Sequence, residues 1–157
     1  MIFKGEDLKP GDLILPLGKK LNPADIGTLA SMGFTEIKVY KQPVVGIIST
    51  GDELVPAGGM LEPGKIRDVN TPMLAALLVE AGAITQAHPI VPDQRDLLRN
   101  AIQSAIATAD LLLISGGTSV GEKDNLPLLI EELGEIFVHG IAIKPGKPTI
   151  VGQIESK

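Results

Sequence analysis

The sequence contains no cysteine and no tryptophan, and only one tyrosine and three phenylalanines among its 157 residues. Without cysteine the chain can form neither disulfides nor thiolate metal sites, which fits a reducing compartment such as the cytoplasm. So few aromatic side chains offer little surface for stacking nucleic-acid bases, and a net charge of -5 opposes binding to polyanions. The composition therefore argues against a nucleic-acid partner.

The sequence also lacks any apolar run close to the roughly 20 residues that span a bilayer. Its first residues, MIFKGEDLKPGD, do not have the pattern of a signal peptide. We therefore expect a soluble, cytoplasmic protein with no membrane partner. With 44% hydrophobic residues, the chain is long enough for one main core and a small additional unit.

Residues 1–43 are predicted to form this additional unit, a small α+β segment. The stretch GDLILPLG is typical of a short strand, and Asn22 followed by Pro23 has the residue types that begin a helix. Gly33 is expected to end that helix, and TEIKVYK then alternates apolar and polar residues as a half-buried strand does.

Residues 44–157 are predicted to form an α/β domain with three layers, in which helices flank a mainly parallel sheet. This prediction depends on apolar runs that alternate with amphipathic segments. Strands are expected at residues 44–49, 84–91, 111–114, 136–143 and 149–153, and helices at 70–81, around 97–106 and at 126–133.

The stretch DLLLISGGTSVGEKD, which begins at residue 110, lies between the third strand of this domain and the following helix. Such a loop delivers free backbone N–H groups to an anion, and glycines let the backbone come close to a phosphate. The glycines are Gly116, Gly117 and Gly121, and Ser115, Thr118 and Ser119 add hydroxyl groups. Asp124 is either the N-cap of the next helix or a carboxylate that holds a metal or water.

This loop does not have the pattern of two common nucleotide-binding motifs. Glu122 stands where a P-loop needs its lysine, and no GxGxxG follows the first strand of the domain. A P-loop nucleotide triphosphatase and a Rossmann dinucleotide site are therefore not predicted.

Acidic and polar residues follow the other strands at the same edge of the predicted sheet. Thr50, Gly51, Asp52 and Glu53 come after the first strand. They are either a solvated turn, or they receive ring N–H groups of a heterocycle or meet a phosphate through Mg²⁺. Three more residues are candidates for this edge, although two of them could instead cap helices: Asp68, Asn70 and Asp93.

The segment KPGKP, residues 144–148, is the compact basic element of an otherwise acidic chain. Two prolines and a glycine hold Lys144 and Lys147 three residues apart directly after a strand, and an oxyanion is the natural partner of such a pair. The alternative is a hairpin turn with two solvated lysines.

Four of these segments, STGDEL (49–54), IRDVN (66–70), SGGTSVGEKD (115–124) and IAIKPGKP (141–148), occur in an order and spacing that resemble the molybdopterin-binding domain of molybdopterin molybdenumtransferases. This family branch includes the E domain of gephyrin. The resemblance covers essentially the whole chain. It implies an enzyme that converts adenylated molybdopterin and molybdate to molybdenum cofactor and AMP with Mg²⁺. It also implies a longer, dimeric protein of which this chain is a fragment.

The resemblance also implies roles for single residues. Catalytic positions are Asp124, Ser119, Glu53, Asp93 and Asp7, of which Asp7 faces the opposite subunit in the family's dimer, and Glu53 and Asp124 would hold the metal. Positions for molybdopterin, its phosphate and molybdate are Thr50, Gly51, Asp52, Asp68, Asn70, Ser115, Gly116, Gly117, Thr118, Gly121, Lys144, Lys147 and Pro148.

Two other functions stay open from the sequence. A molybdopterin adenylyltransferase uses the same α/β domain, but resembles this chain mainly at the serine-glycine loop, so TGDEL and KPGKP favour the molybdenumtransferase branch. The second alternative is a non-catalytic scaffold module. The presence of Asp124, Lys144 and Lys147 argues against this alternative. The adenylyltransferase and molybdoenzymes are expected as protein partners.

Overall fold

The computed structural model describes Phe3 and residues 5–116 and 125–154. The chain divides into two compact units, residues 1–41 and residues 42–157. The boundary after residue 43, which the sequence predicts, stays a prediction. No helix in the described part of the chain combines the length and the apolar character needed to cross a membrane.

The amino-terminal unit contains the predicted helix, α1 (Pro23–Ser31). It begins with a capping box, because the Asn22 side chain accepts a hydrogen bond from the Asp25 N–H and the Asp25 carboxylate accepts one from the Asn22 N–H. Lys19 also donates to Asp25 at 2.6 Å, and this bond, with the Asn22 N–H, lowers the pKa of that carboxyl. The helix ends at Ser31, and the predicted stop residue Gly33 follows the C-cap Met32 with a φ of 84°. The Phe34 N–H then donates to the Leu29 carbonyl oxygen.

The prediction of two strands in this unit is wrong. Residues 5–41 contain α1 and no strand, so the unit is not α+β. Several apolar side chains of the expected strands are exposed, with Leu13 at 79%, Val39 at 70% and Tyr40 at 73%. A strand needs a neighbour that accepts its ladder hydrogen bonds and an apolar face to bury, and alternation alone supplies neither.

The carboxy-terminal unit contains strands and helices close to the predicted positions. In chain order they are β1 (Val44–Ser49), β2 (Leu54–Val55), β3 (Ile66–Arg67), α2 (Asn70–Ala81), β4 (Ile84–Ala87), α3 (Arg95–Ile106), β5 (Leu111–Ser115), α4 (Asn125–Leu133), β6 (Gly134–His139) and β7 (Ile150–Ile154). The short parallel pair β2–β3 was not predicted. Strand β6 begins earlier and ends earlier than the sequence indicates.

The central sheet is parallel and has the strand order β4-β1-β5. Val44 is opposite Ile84, and Ser49 is opposite Ser115, so the strands end at a common edge. The chain moves from β1 to β4 in one direction and from β4 past β1 to β5 in the other. Since crossovers of this kind are right-handed, α2 and α3 are expected on opposite faces of the sheet, as in the predicted layered α/β fold.

The main core lies on the α3 side of this sheet. Ile48 of β1, Ile102 of α3 and Leu129 of α4 are completely buried and belong to one cluster. Burying each of these side chains contributes about 1.5–3 kcal/mol. Helices α3 and α4 are also joined outside the core, since Arg99 and Arg95 both bind Glu132 and lower its pKa to about 2.

The layer that contains α2 is more exposed to solvent. Helix α2 contains no buried residue, although it packs against β1 and β4. The antiparallel hairpin of β6 and β7 forms a separate sheet and packs against α4. The strand order changes direction between β1 and β5, and in folds of this kind ligands bind beyond the strand ends at that place.

Candidate functional site

Thr50 and Gly116 approach each other closely at the carboxyl ends of β1 and β5. The Thr50 N–H donates to the Ser115 carbonyl oxygen at 2.9 Å. Gly116 has φ of 107°, and a Cβ built on it would overlap the Thr50 carbonyl oxygen. Only glycine fits here without displacing the strand ends, because both the backbone conformation and the space exclude a side chain.

An acidic side of the site begins at Thr50, whose side chain is 1% exposed. Its hydroxyl donates to Asp93 Oδ1 at 2.7 Å, and the Asp93 N–H donates to Asp52 Oδ1 at 3.2 Å. The two carboxylates are therefore neighbours at the end of the sheet. In the described part of the chain, the second oxygen of each carboxylate has no hydrogen-bond donor.

Gly51 and Glu53 lie at the same place. A Cβ on Gly51 would come within 2.7 Å of the Glu53 carboxylate, which is folded back onto the glycine. Lys65, from the segment between β2 and β3, donates to the Asp52 carbonyl oxygen at 2.6 Å. Lys65 was not predicted as a site residue, because only the β2–β3 pairing brings it here and no local sequence pattern indicates that pairing.

A polar side of the site is formed by the first residues of α2. Asn70 Nδ2 donates to Ser115 Oγ at 2.6 Å. Since this bond occupies Ser115 Oγ as an acceptor, the Ser115 hydroxyl hydrogen can be donated to a ligand. The amino-terminal end of a helix adds a favourable dipole for negative charge.

Asp68 holds the beginning of α2, although it precedes the helix by two residues. Its Oδ1 accepts hydrogen bonds from the Asn70 and Thr71 N–H groups, both at 3.1 Å. Burial raises the pKa of Asp68, but hydrogen bonds from Thr71, Ser49 and Asn70 outweigh burial and lower it. The N-cap position, Val69, has no capping side chain, so the capping role considered for Asn70 belongs to Asp68.

Asp93 is not a helix cap either. Helix α3 begins at Arg95 after the N-cap residue Gln94, which makes no side-chain cap, and the Asp93 carboxylate binds Thr50 instead. Of the two explanations that the sequence left open for Asp93, the position at the strand edge is therefore the observed one.

The basic loop borders a cavity that reaches this edge. The cavity has a volume of about 560 Å³, and Gly146, Pro148 and Thr149 line it together with Asn70 and Ser115. The loop is held by a hydrogen bond of 2.9 Å from the Ile141 N–H to the Lys147 carbonyl oxygen. Lys144 and Lys147 are exposed, and neither forms an ion pair with any described residue.

Six of the predicted site residues are not among the contacts described above. Gly117, Thr118, Ser119, Gly121 and Asp124 lie outside the described residues. Asp7 belongs to the amino-terminal unit, where it occupies an exposed bend. Within residues 5–116 and 125–154, no three His, Asp or Glu side chains are arranged to hold a metal.

Ser49 and Thr71 also lie at the site, although neither was predicted as a site residue. Their hydroxyl oxygens lie 2.8 Å apart and join the end of β1 to the first turn of α2. A signal existed for both: Ser49 is the first polar residue after an apolar strand, and Thr71 follows Asn70 at the helix start.

A parallel α/β sheet whose strand ends carry glycine, hydroxyl, amide and carboxylate groups defines a ligand-binding domain of the doubly wound class. Residues 46–157 match the family described as the probable molybdopterin binding domain, and the chain belongs to this family. This finding confirms the resemblance derived from the four sequence segments.

Individual relatives agree with the family. A molybdopterin molybdenumtransferase from Haemophilus influenzae is 41% identical over 152 residues, which are 97% of this chain and 38% of the relative. A solved molybdopterin biosynthesis MoeA protein from Pyrococcus horikoshii is 39% identical with a TM-score of 0.86, covering 96% of this chain and 37% of that chain. A molybdenum cofactor biosynthesis protein from Pyrococcus furiosus is 31% identical with a TM-score of 0.70, covering 94% and 43%. The chain thus spans about two fifths of the length of the curated relatives it matches.

Proposed function

We propose that this domain binds adenylated molybdopterin and acts in the molybdenumtransferase reaction, in which molybdenum from molybdate enters the cofactor and AMP is released. The observation that carries the proposal is the meeting of Thr50, Asp93, Asn70 and Ser115 beside Gly116 at the strand ends. Relatives that are 37% and 41% identical are named molybdopterin molybdenumtransferase, which supports the same function.

The phosphate part of the substrate is proposed to bind between β5 and the start of α2. Ser115 donates its hydroxyl hydrogen, and Gly116 allows the ligand to approach the backbone. From the resemblance, Gly117, Thr118 and Gly121 continue this contact. Negative charge that develops on a phosphoryl oxygen during bond cleavage is stabilised by such fixed donors, since they need no reorganisation.

The acidic side fits a Mg²⁺ ion. Mg²⁺ is usually held by one or two carboxylates, with water and substrate phosphate oxygens completing its shell. Asp52 and Asp93 each present one oxygen without a donor among the described residues, and Glu53 is adjacent. We assign Mg²⁺ to this side, with Glu53 and Asp124 as the ligands that the resemblance implies. The ion would supply positive charge for the phosphate groups.

The remaining roles rest on the resemblance. Asp124 and Ser119 would act in cleaving the adenylate, Asp7 would reach the pocket of a second subunit, and Lys144 and Lys147 would bind molybdate. Pro148 lines the cavity beside this basic loop. A cytoplasmic homodimer that receives substrate from the adenylyltransferase and delivers cofactor to molybdoenzymes is part of the same proposal.

The test is a titration of the chain with adenylated molybdopterin, with and without Mg²⁺ and molybdate, in which binding and AMP release are both measured. We expect binding that Mg²⁺ strengthens. AMP release would support turnover by this chain alone, whereas binding without release would restrict the proposal to the substrate site.

A matched pair of variants makes the test specific. Asp93→Asn removes a charge at the strand edge and should weaken Mg²⁺-dependent binding about tenfold, which corresponds to about 1.4 kcal/mol. Asp96→Asn removes the same charge three residues later, in the first turn of α3, and should bind as the wild type does. A folded chain without affinity for the substrate would contradict the proposal, and ATP consumption with molybdopterin would indicate the adenylyltransferase.

A further inference from the structure

Lys65 reaches the acidic side of the site from the segment between β2 and β3, where its ammonium donates to the Asp52 carbonyl oxygen at 2.6 Å. Although Asp52 and Glu53 both carry carboxylates at this turn, the Lys65 ammonium forms no ion pair with any Asp or Glu in the described part of the chain. Lys19 behaves in the opposite way, because it binds the carboxylate of Asp25. Lys65 therefore acts on the backbone of the turn and not on its carboxylates.

The Lys65 contact continues the hydrogen bonds that join β2 to β3. The Ile66 N–H donates to the Glu53 carbonyl oxygen at 2.9 Å. The carbonyl oxygen one residue earlier, that of Asp52, accepts its bond from the Lys65 side chain instead of a backbone N–H. Since β2 and β3 pair over only two residues, this side-chain bond extends the order of a very short ladder into the acidic turn.

The carbonyl group that Lys65 holds belongs to the peptide between Asp52 and Glu53. Because a peptide is planar, the direction of its carbonyl oxygen also fixes the directions in which the chain continues on both sides. Rotation of this peptide would therefore move the two carboxylates relative to Asp93, whose N–H donates to Asp52 Oδ1 at 3.2 Å. The bond from Lys65 opposes this rotation.

We infer that Lys65 is a positioning residue for Mg²⁺ binding: it fixes the peptide between Asp52 and Glu53, so that the carboxylates on both sides of it are in place before the ion binds. This inference rests on the proposed function, which assigns Mg²⁺ to the acidic side. Ligands that are already ordered bind more tightly, because the cost of ordering them is not part of the binding equilibrium. A cavity of about 400 Å³, lined by Gly51, Asp52 and Lys65, leaves room for the waters that Mg²⁺ retains.

A purely electrostatic role of Lys65 predicts the opposite result when its charge is removed. A positive charge near the acidic side repels a cation, so a neutral side chain at position 65 would strengthen Mg²⁺ binding if charge alone mattered. If Lys65 positions the carboxylates, a neutral side chain weakens Mg²⁺ binding. The sign of the change in affinity therefore distinguishes the two roles.

The test measures where and how tightly a divalent ion binds to the isotope-labelled chain. Mn²⁺ is the probe, because it accepts the same oxygen ligands as Mg²⁺ and broadens the NMR signals of nearby amides. The amides of residues 51–53 and 93 should broaden in the wild type, and added Mg²⁺ should reverse this. Electron paramagnetic resonance of the free Mn²⁺ gives the dissociation constant, which Lys65→Met should raise about tenfold, equal to about 1.4 kcal/mol.

Arg67→Met is the matched control. Arg67 follows Lys65 by two residues and also donates to a backbone carbonyl oxygen, that of Ala57 at 2.9 Å, in the segment after β2. Each variant loses one positive charge and its hydrogen bonding to the backbone, so the two should have similar midpoints of urea denaturation. Arg67→Met should leave the dissociation constant of Mn²⁺ within about twofold of the wild type.

Because the chain contains no cysteine, the side chain at position 65 can also be rebuilt chemically. Lys65→Cys introduces a single thiol. Alkylation of this thiol with bromoethylamine gives a side chain of nearly the length of lysine that ends in an ammonium, and alkylation with iodopropane gives a neutral side chain of the same length. The ammonium form should bind Mn²⁺ within about twofold of the wild type, and the propyl form about tenfold more weakly.

Three results would overturn this inference and leave the proposed function intact. They are unchanged or tighter Mn²⁺ binding by Lys65→Met, equal weakening by Lys65→Met and Arg67→Met, and equal binding by the ammonium and propyl forms. If Mn²⁺ broadened none of the amides of residues 51–53 and 93 in the wild type, the assignment of Mg²⁺ to the acidic side would fail, and the inference with it.

Discussion

Thr50 Oγ1 lies 2.7 Å from Asp93 Oδ1, and this hydrogen bond joins the end of β1 to the segment after β4. Thr50 is almost completely buried, whereas Asp93 is exposed, so the bond fixes one carboxylate oxygen and leaves the other towards solvent. The direction of the Asp93 carboxylate is therefore determined by the sheet rather than by a flexible loop.

Replacing Thr50 by Val tests this relationship at nearly constant volume. Loss of the hydroxyl should lower the free energy of unfolding by about 1–2 kcal/mol, since the acceptor is a carboxylate. It should also weaken the binding of adenylated molybdopterin. Urea denaturation and titration measure the two effects. Thr108→Val is the control: its hydroxyl donates to Gln86 Oε1 at 2.9 Å at an exposed position, and the change should be within about 0.5 kcal/mol. Equal stability of both variants would refute the structural role of Thr50.

Gly116→Ala tests the close approach of β5 to β1. The added methyl would overlap the Thr50 carbonyl oxygen, and the residue would keep a φ near 107°. We expect the free energy of unfolding to fall by about 2 kcal/mol or more, because positive φ alone costs about 1–2 kcal/mol. Gly58→Ala is the control, since its Cβ meets nothing within 4 Å and its φ is not positive. Similar denaturation midpoints for the two variants would show that the strand ends separate easily.

Much of the carboxy-terminal unit could be predicted because its signals are local. The apolar run before Ser49 predicts β1, and the helical spacing from Leu97 to Ile106 predicts α3. The amino-terminal strands failed because Ile37 and Val39 alternate as a strand does, but their unit provides no pairing partner within residues 5–41. Pairing is a property of two segments, so one segment cannot reveal it.

The candidate site was predictable by residue type and strand end, but its internal contacts were not. Asn70 was a candidate cap from its sequence position, yet its amide reaches Ser115, 45 residues away. Lys65 reaches Asp52 only because β2 and β3 pair over two residues, which is too short for a periodic signal. Contacts between distant segments depend on the register of the folded chain.

Asp68 is expected to make stability depend on pH. Its pKa in the folded chain is lowered from 3.8, so its charge stabilises the fold above pH 3.8, and this contribution is lost as pH falls through the lowered folded value. Asp68→Asn keeps an acceptor for Asn70 and Thr71, and should be less stable than the wild type at neutral pH. The difference should shrink in acid.

The alanine variant at the same position provides the control. Asp68→Ala loses the acceptor as well as the charge, so it should be less stable than Asp68→Asn by about 1–2 kcal/mol at every pH, as other lost caps are. Urea denaturation from pH 7 down to below 3.8 distinguishes the two contributions. A constant difference between wild type and Asp68→Asn over this range would argue against a lowered pKa.

Lys144 and Lys147 are expected to bind an oxyanion together, because the bonds from Ile141 to Lys147 and within Gly146–Thr149 fix the loop between them. Replacing either lysine by Gln should weaken molybdate binding about tenfold, equal to about 1.4 kcal/mol, and the effect should decrease with added salt. Equilibrium dialysis at two ionic strengths measures this. Lys20→Gln, an exposed lysine of the amino-terminal unit, is the control for net charge. A variant in which both Lys144 and Lys147 are replaced by Gln should bind molybdate more weakly than the control. If it bound molybdate as well as the control does, the oxyanion would bind elsewhere, and the basic loop would be a solvated hairpin turn.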